Sequence, residues 1–340
     1  TVSAVKCVLA DINQVYMNTQ SLFLIDSQQW NDQTSRLHRF TLNNFEYDSS
    51  LTVDGTLGWD TPEFRIKELD DGTVVLLTSQ NETISNWWGV WWNNTNTVNK
   101  LRLFQKIATD DGEEYQQIAE LPNADAPEQD DSPLSLGKQG EQIYGVRIDE
   151  NTVKVVTFRQ TDPLYIFDIS DRKNPQSLGE LQEDGVSVYL HNFADLTLGV
   201  GYDANESGNR LGLKVELYDQ QETLQSIQQY VFGDYASTPV DYDYHAFTSV
   251  AVDDNEDLFK IAIPATIYEN NYQDYYSGLL LFTLNNVDKT LIHNGTIKAQ
   301  GDRSSWQDRS VIQGDAVHYL HNGKIYSSLW STPDAYSISE

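Results

Sequence analysis

The sequence predicts an all-β protein built from repeated four-stranded units. Short runs of Val, Ile, Leu, Tyr and Phe bounded by Asp, Asn and Gly fill the chain, while apolar side chains rarely recur at the helical period. The clearest unit spans residues 143–181, where IYGVRI, TVKVVTF, LYIFDI and SLGEL follow one another with polar turns between them. Four antiparallel strands in so short a segment, repeated along a chain, are typical of a β-propeller blade.

The pattern recurs along the chain, which predicts six blades, with seven or eight as the alternative. The units start near residues 13, 63, 143, 186, 244 and 308. The last unit contains three predicted strands, RSVIQG, AVHYLH and KIYSSLW, and no fourth. A further strand predicted over residues 2–9 would complete that unit and close the ring, since closure removes exposed strand edges. The prediction is a single propeller domain over residues 1–340.

Composition excludes several classes of partner. The chain contains 51 Asp and Glu against 22 Lys and Arg, a net charge of −29, so phosphate backbones and anionic lipids are repelled on average. No nucleic-acid partner is expected. No segment approaches the ~20 consecutive apolar residues of a membrane span, so no membrane insertion is expected either. Cys7 is the only cysteine, and its apolar alternating surroundings predict a buried, unreactive thiol.

Several segments resemble a known family. The run from Gly140 to Leu181, then SVYLH, DYHAF and RSVIQGDAVHY, is similar to secreted bacterial and archaeal proteins that carry a C-terminal β-propeller domain. The resemblance implies a propeller in an extracytoplasmic protein, either secreted or at the cell surface or in the periplasm. Members have further propeller-like sequence ahead of the part that Thr1–Ile25 resembles. The chain therefore either closes a shorter ring or is the later part of a larger domain.

Aromatic residues are concentrated in the long predicted loops. In a propeller, loops between the second and third strands of a blade and loops between blades open on one face. This face receives six tyrosines, Tyr235, Tyr242, Tyr268, Tyr272, Tyr275 and Tyr276. The predicted ligand-binding residues are Trp59, Trp87, Trp88, Trp91, Trp92, Tyr272, Tyr275 and Trp306. Flat rings amid amides and carboxylates suit sugar rings or peptide segments. The alternative is that these rings pack the loops against one another.

A second set of candidates lies on the predicted first strands, which line the central channel. It comprises Arg65, Arg147, His191, His245 and Arg309, with Asp162 in the RQTDP loop. Arginines could hold a carboxylate of the ligand, and the histidines could titrate in a hydrolase or lyase. The alternative is structural, with the basic groups bridging neighbouring blades through carboxylates such as Asp162, Asp243 and Asp308.

A weak metal site is predicted in DANESGN, where Asp203, Asn205 and Ser207 have the spacing of the first half of a calcium loop. Leu211 and Lys214 occupy positions where further ligands belong, so an ordinary polar turn is the alternative. Ca²⁺ is the one cofactor candidate, and none is certain.

Taken together, the residues favour a binding module whose aromatic, acidic loops engage a glycan or a protein partner, and the resemblance implies that it is extracytoplasmic, with its partner at the cell surface. One alternative is a hydrolase or lyase acting on polysaccharide or a small molecule at the channel Arg and His residues. Another is a scaffold domain of a larger envelope protein. The motifs of P-loops, α/β-hydrolases and zincins do not occur in the sequence.

Overall fold

The chain folds into antiparallel β-sheets, as predicted. The computed structural model describes residues 7–28, 33–58, 62–83, 95–110, 112–123, 135–138, 140–158, 162–183, 185–205, 209–219, 225–252, 255–270, 272–299 and 306–339. Within these ranges consecutive strands form six sheets, which confirms the prediction of a propeller with six blades. The chain divides into two compact units, residues 1–159 with 165–179, and residues 160–164 with 180–340.

The first unit holds the first two sheets and most of the third. The first sheet contains β1 (Gln14–Met17), β2 (Ser21–Gln28), β3 (Thr34–Thr41) and β4 (Glu46–Asp54). A 3-10 helix (Pro62–Arg65) precedes the second sheet, β5 (Ile66–Glu68), β6 (Val74–Thr83), β7 (Thr95–Thr109) and β8 (Gly112–Leu121). The third contains β9 (Gln142–Ile148), β10 (Thr152–Phe158), β11 (Asp162–Asp168) and β12 (Gln176–Glu183).

The core of this unit lies between its sheets. Val74, Val75, Leu76 and Leu77 are consecutive in β6, and all four are fully buried. Because successive side chains of a strand point to opposite faces, both faces of the second sheet are covered. Leu76 belongs to a cluster with residues of the first sheet, and Val75 to a cluster with residues of the third. The strand is therefore an unbroken apolar run instead of an alternating one.

The second unit holds the last three sheets. The fourth contains β13 (Val186–Phe193), β14 (Leu196–Ala204), β15 (Arg210–Asp219) and β16 (Gln225–Phe232). The fifth contains β17 (Tyr235–Ser237), β18 (Thr248–Val252), β19 (Asn255–Glu269), β20 (Asp274–Asn285) and β21 (Thr290–Ala299). The last contains β22 (Arg309–Gln313), β23 (Ala316–His321), β24 (Lys324–Leu329) and β25 (Thr332–Ser339).

The fifth sheet departs from the four-stranded pattern. Two short strands, β17 and β18, stand where the other sheets have one first strand. Both pair with the long strand β19: Tyr235 of β17 lies opposite Tyr268, and Thr248 of β18 lies opposite Ala262. The segment between them, 238–247, contains two short 3-10 helices, Pro239–Asp241 and Tyr244–Ala246. Thr238 fixes its start, since its hydroxyl donates to the carbonyl of Pro264 at 2.7 Å. This segment carries several of the candidate residues.

Two predictions about the chain ends are corrected. The last sheet has its own fourth strand, β25, which pairs with β24. Its sequence TPDAYSIS was not predicted as a strand; it is a mostly exposed edge strand, and an edge strand tolerates proline. Cys7 is exposed, and residues 7–9 are not in a strand, so the predicted burial of the thiol is wrong. Residues 2–6 of that predicted strand lie outside the described residues.

Helical structure is minor. None of the helices in the described ranges has the length and apolar character needed to cross a bilayer.

Candidate functional site

Three of the eight predicted ligand-binding aromatics lie within the described residues. Trp306 is 60% exposed, Tyr272 59% and Tyr275 40%, so each presents a large part of its ring to solvent. Trp59, Trp87, Trp88, Trp91 and Trp92 lie outside the described residues. The site can therefore be built from the second unit, where Tyr272 and Tyr275 lie on the hairpin between β19 and β20.

The hairpin turn determines where these two tyrosines point. Tyr268 is opposite Tyr275 and Glu269 is opposite Asp274 in the β19–β20 ladder. The side-chain amide of Asn270 donates to Asp274 Oδ2 at 2.5 Å, which closes the turn. Asn270 and Tyr272 have positive φ angles of 51° and 69°. Asparagine adopts this conformation readily, but for tyrosine it costs roughly 1 kcal/mol or more.

Ring contacts offset the cost at Tyr272. Its ring centroid lies 5.4 Å from that of Tyr235 and 5.9 Å from that of Tyr268. Tyr235 and Tyr268 are 5.7 Å apart, and Tyr275 lies 6.0 Å from Tyr268. Such pairs contribute about 0.5–1.5 kcal/mol beyond burial of area. We call Tyr235, Tyr268, Tyr272 and Tyr275 the tyrosine patch, an exposed aromatic surface assembled from β17 and the β19–β20 hairpin.

The next residue of β20, Tyr276, alternates to the other face of the strand and contacts a cation. Lys298 Nζ lies 4.1 Å from its ring centroid. Burial raises the pKa of the Tyr276 hydroxyl, and the charge of Glu269 raises it further. The phenol therefore stays neutral at physiological pH, and the ring interacts with the cation through its π face.

A polar cluster surrounds Asp243 in the segment between β17 and β18. Asp243 Oδ1 lies 3.0 Å from His245 Nδ1, and Asp243 Oδ2 accepts a hydrogen bond from Arg309. Burial raises the pKa of the Asp243 carboxyl, but hydrogen bonds from His245 and the charge of Arg309 outweigh it and lower the pKa. His245 is 66% exposed at its side chain and stacks on Tyr244, with centroids 4.0 Å apart.

The structure thus brings two predicted channel residues, His245 and Arg309, onto one carboxylate, which is the bridging arrangement proposed as their structural role. His245 lies in a 3-10 helix instead of a first strand, because the Asp243 side chain accepts from the His245 N–H and starts the helix. His191 is on β13, and both its ring nitrogens have partners. Nδ1 is 2.9 Å from the Tyr189 hydroxyl and Nε2 is 3.3 Å from Ser249 Oγ.

The two channel arginines of the first unit also have structural partners. Arg65 is buried at the end of its 3-10 helix, where it donates to Ser79 Oγ at 3.0 Å and to the carbonyl of Ile143 at 2.9 Å. It connects the second sheet to the third, and its place in the 3-10 helix corrects the prediction that it lies on a first strand. Arg147 is half-buried and pairs with Asp149 at 3.3 Å. The side chain of Asp162 lies outside the described ones.

One buried network was missed by sequence reasoning. Asp308, Tyr319 and His321 are each at most 1% exposed. Tyr319 donates to Asp308 Oδ2 at 2.5 Å, and His321 Nδ1 lies 3.0 Å from both carboxylate oxygens. Burial raises the pKa of Tyr319 well above its ordinary value, and Asp308 raises it further. The Asp308 carboxylate is therefore bound by buried side chains of the last sheet. The alternation of AVHYLH placed Tyr319 and His321 on one face but did not show their partner.

In the predicted calcium loop, the described residues on either side of positions 206–208 are hydrogen-bonded to each other. Asn205 Oδ1 accepts from the Asn209 N–H at 3.0 Å, and the Asn205 N–H donates to the Asn209 carbonyl at 3.1 Å. Asp203 is the second-to-last residue of β14, which ends at Ala204, and Ser207 lies outside the described residues. Across the parts of the chain that the structure describes, no group of three or more His, Cys, Asp and Glu side chains could hold a metal ion.

A polar cleft of about 370 Å³ lies in the first unit, between the first and second sheets. Arg39 lies in it and pairs with Asp48 at 3.0 Å and with Glu68 at 2.8 Å. Lys106 also pairs with Asp48 and lies 5.7 Å from the ring of Tyr115. Each cation here is neutralised by a carboxylate, so the cleft offers no uncompensated charge to a ligand.

Comparison with known proteins gives the chain's relationships. The sequence matches the β-propeller domain family over residues 1–332. It is 32% identical over 184 residues to an uncharacterized protein of Archaeoglobus fulgidus, covering 51% of this chain and 28% of that protein. It is 36% identical over 113 residues to an uncharacterized protein of Methanocaldococcus jannaschii, covering 32% of this chain and 17% of that one. The matches thus cover less than a third of these relatives.

Solved structures show similarity at low identity. The β-propeller domain of the Trilobed protease from Pyrococcus furiosus aligns with a TM-score of 0.41 and 11% identity, over 96% of this chain and 83% of that chain. The WD40 domain of SCAP from fission yeast aligns with a TM-score of 0.44 and 7% identity, over 94% and 71%.

Proposed function

The chain belongs to the β-propeller domain family, and we propose that it acts as a binding module that recognises a glycan or a protein segment through exposed aromatic side chains. The observation that carries the proposal is the tyrosine patch. Two of its four rings are at least 40% exposed, although each would be stabilised by burial. The turn also holds Tyr272 in a strained conformation. Strain of this kind is concentrated at functional sites.

Further parts of the proposal come from the aromatic residues predicted in the long loops, from the family resemblance and from the archaeal relatives. Trp306, which is 60% exposed in the second unit, would be a further aromatic contact for the ligand, and the predicted roles of Trp59, Trp87, Trp88, Trp91 and Trp92 stay part of the proposal. The resemblance to secreted bacterial and archaeal proteins supports the proposal of an extracytoplasmic location, with a partner at the cell surface. The archaeal relatives are longer than this chain, and the module would present its partner to the remainder of such a protein.

Binding assays with matched variants test the proposal. The purified chain and the double variant Tyr272→Ala/Tyr275→Ala would be screened on a glycan array and a peptide array, with and without millimolar Ca²⁺. Tyr47→Ala is the control, since Tyr47 is 49% exposed on β4 in the first unit. We expect at least a tenfold loss of affinity in the double variant, because exposed tyrosines that anchor a ligand each contribute ~1 kcal/mol or more. Equal affinity of all three proteins for every ligand found would contradict the proposal.

A second candidate function is a hydrolase or lyase, favoured by the Asp243–His245 pair. An exposed imidazole oriented by a carboxylate is the arrangement of a general base. Against it, the Asp243 carboxylate is also bound by Arg309, and the clefts of about 230–440 Å³ are lined by other residues. Turnover of any polysaccharide by the intact chain that His245→Gln abolishes, with an unchanged melting temperature, would favour catalysis over binding.

A further inference from the structure

The sequence around the tyrosine patch has charge of one sign. Residues 233–246 and 265–277, which supply the patch and its flanks, contain five acidic residues and no Lys or Arg. Asp241 and Asp243 are compensated by Arg210 and Arg309. Glu269 and Asp274 are sequence neighbours of the patch tyrosines, both are exposed, and Asp274 accepts from the neutral amide of Asn270. The net charge of −29 on the whole chain adds to this local potential.

The geometry of the rings also suits a cation. The four tyrosines are tilted from one another by 35–59°, so they do not form one flat platform of the kind that stacks on a sugar ring. Aromatic rings tilted against one another can present more than one negative π face to a single ammonium or guanidinium group.

The same unit already uses this contact twice. Lys298 Nζ lies 4.1 Å from the Tyr276 centroid, and the guanidinium carbon of Arg210 lies 4.6 Å from the Tyr202 centroid. Tyr276 is the residue after Tyr275, on the other face of β20. Tyrosine rings of the fourth and fifth sheets therefore bind cations supplied by the chain itself, while residues 233–246 and 265–277 contain no Lys or Arg.

We propose that the tyrosine patch binds lysine and arginine side chains of a basic protein segment. The inference rests on the proposed function and narrows its ligand from a glycan or a protein segment to a cationic peptide. The aliphatic stems of Lys and Arg would lie on the exposed rings, and the exposed carboxylates of Glu269 and Asp274 in the same hairpin would attract their charged ends. Both contacts disfavour acidic glycans and acidic peptides.

The test compares peptides that differ only in charge. A ten-residue Lys/Gly/Ser peptide, the same peptide with every lysine acetylated, and a glutamate version would be titrated into the full chain by calorimetry at two salt concentrations. Acetylation keeps the length of the side chain and removes its charge. We expect the lysine peptide to bind at least tenfold more tightly than the acetylated one, with a further loss at high salt.

Protein variants separate specific binding from general attraction to an acidic protein. Tyr272→Ala/Tyr275→Ala should reduce affinity for the lysine peptide at least tenfold, Asp274→Asn two- to fivefold, and Tyr47→Ala should have no effect. Equal loss of binding with Tyr47→Ala, or none with the patch variant, would overturn the inference in favour of nonspecific attraction. A neutral glycan that binds in a Tyr272-dependent manner while the lysine peptide does not would overturn the inference and leave the proposed function standing. Absence of binding to peptides and glycans would overturn both.

Discussion

Replacing Asp149 with Asn tests whether the basic residues of the third sheet are structural or form a binding site for anions. Asp149 follows β9 and accepts from Lys154 Nζ at 3.1 Å and from Arg147 Nε at 3.3 Å. Lys154 is only 2% exposed at its side chain, whereas Asp149 is 25% exposed. Burial raises the pKa of Asp149, but the charges of Lys154 and Arg147 outweigh it, and the pKa lies below its ordinary value. Burial lowers the pKa of Lys154.

The magnitude follows from the burial of Lys154. Removing one partner of a buried ion pair costs about 3–5 kcal/mol, because the other charge stays in a medium of low polarity. Since the Asp149 carboxylate is a quarter exposed, the lower end applies, and we expect a loss of about 3 kcal/mol. For a unit of this size that corresponds to a fall in melting temperature of roughly 6–12 °C.

Thermal unfolding followed by circular dichroism measures the effect. Lys154→Met is the matched second change, since methionine has a similar length and no charge, and the double variant should recover most of the lost stability. If Asp149→Asn lowers the melting temperature by less than 2 °C, or if Lys154→Met fails to restore it, the pair is not structural and Arg147 returns as a candidate for anion binding.

The remaining predictions concern stability. Tyr319→Phe removes the hydroxyl that donates to buried Asp308 and should cost about 1.5–3 kcal/mol in chemical unfolding; a cost under 0.5 kcal/mol would contradict it. Gly201→Ala would place its Cβ 1.7 Å from the Val186 carbonyl oxygen, so we expect a loss above ~3 kcal/mol and low soluble yield, which a wild-type melting temperature would refute. Because the pKa of Asp149 is lowered by folding, its contribution is complete above about pH 4 and is lost as the pH falls through the lowered value. Melting temperatures from pH 6 to 2 should therefore fall more in wild type than in Asp149→Asn.

Most strands were predictable because their side chains alternate or form apolar runs between polar turns. The four strands predicted in residues 143–181 match β9 to β12 to within a few residues. The strand β25 was missed because an edge strand that is mostly exposed lacks apolar alternation. The division of the fifth sheet between β17 and β18 was missed because it depends on pairing with opposite ends of β19, which no local pattern encodes.

The candidate site was predictable in part. The assignment of residues to loops placed six tyrosines on one face. It did not show which of these tyrosines contact one another. The contact of Tyr235 with Tyr268 and Tyr272 depends on the register of β17 on β19, which joins residues far apart in sequence. The channel residues were identified by type and spacing, yet their partners are set by neighbouring sheets, as the bond from Arg65 to Ile143 shows. The residue types indicated which interactions each side chain could make. Which partner it contacts depends on packing between residues that are far apart in sequence.

The most direct test of the account is the affinity of the full chain for a basic peptide before and after Tyr272→Ala/Tyr275→Ala, with Tyr47→Ala as control. The account predicts at least a tenfold loss in the patch variant alone, with melting temperatures equal to within a few degrees. Unchanged affinity of the patch variant for the basic peptide and for every other ligand found would show that the tyrosine patch is not a recognition surface.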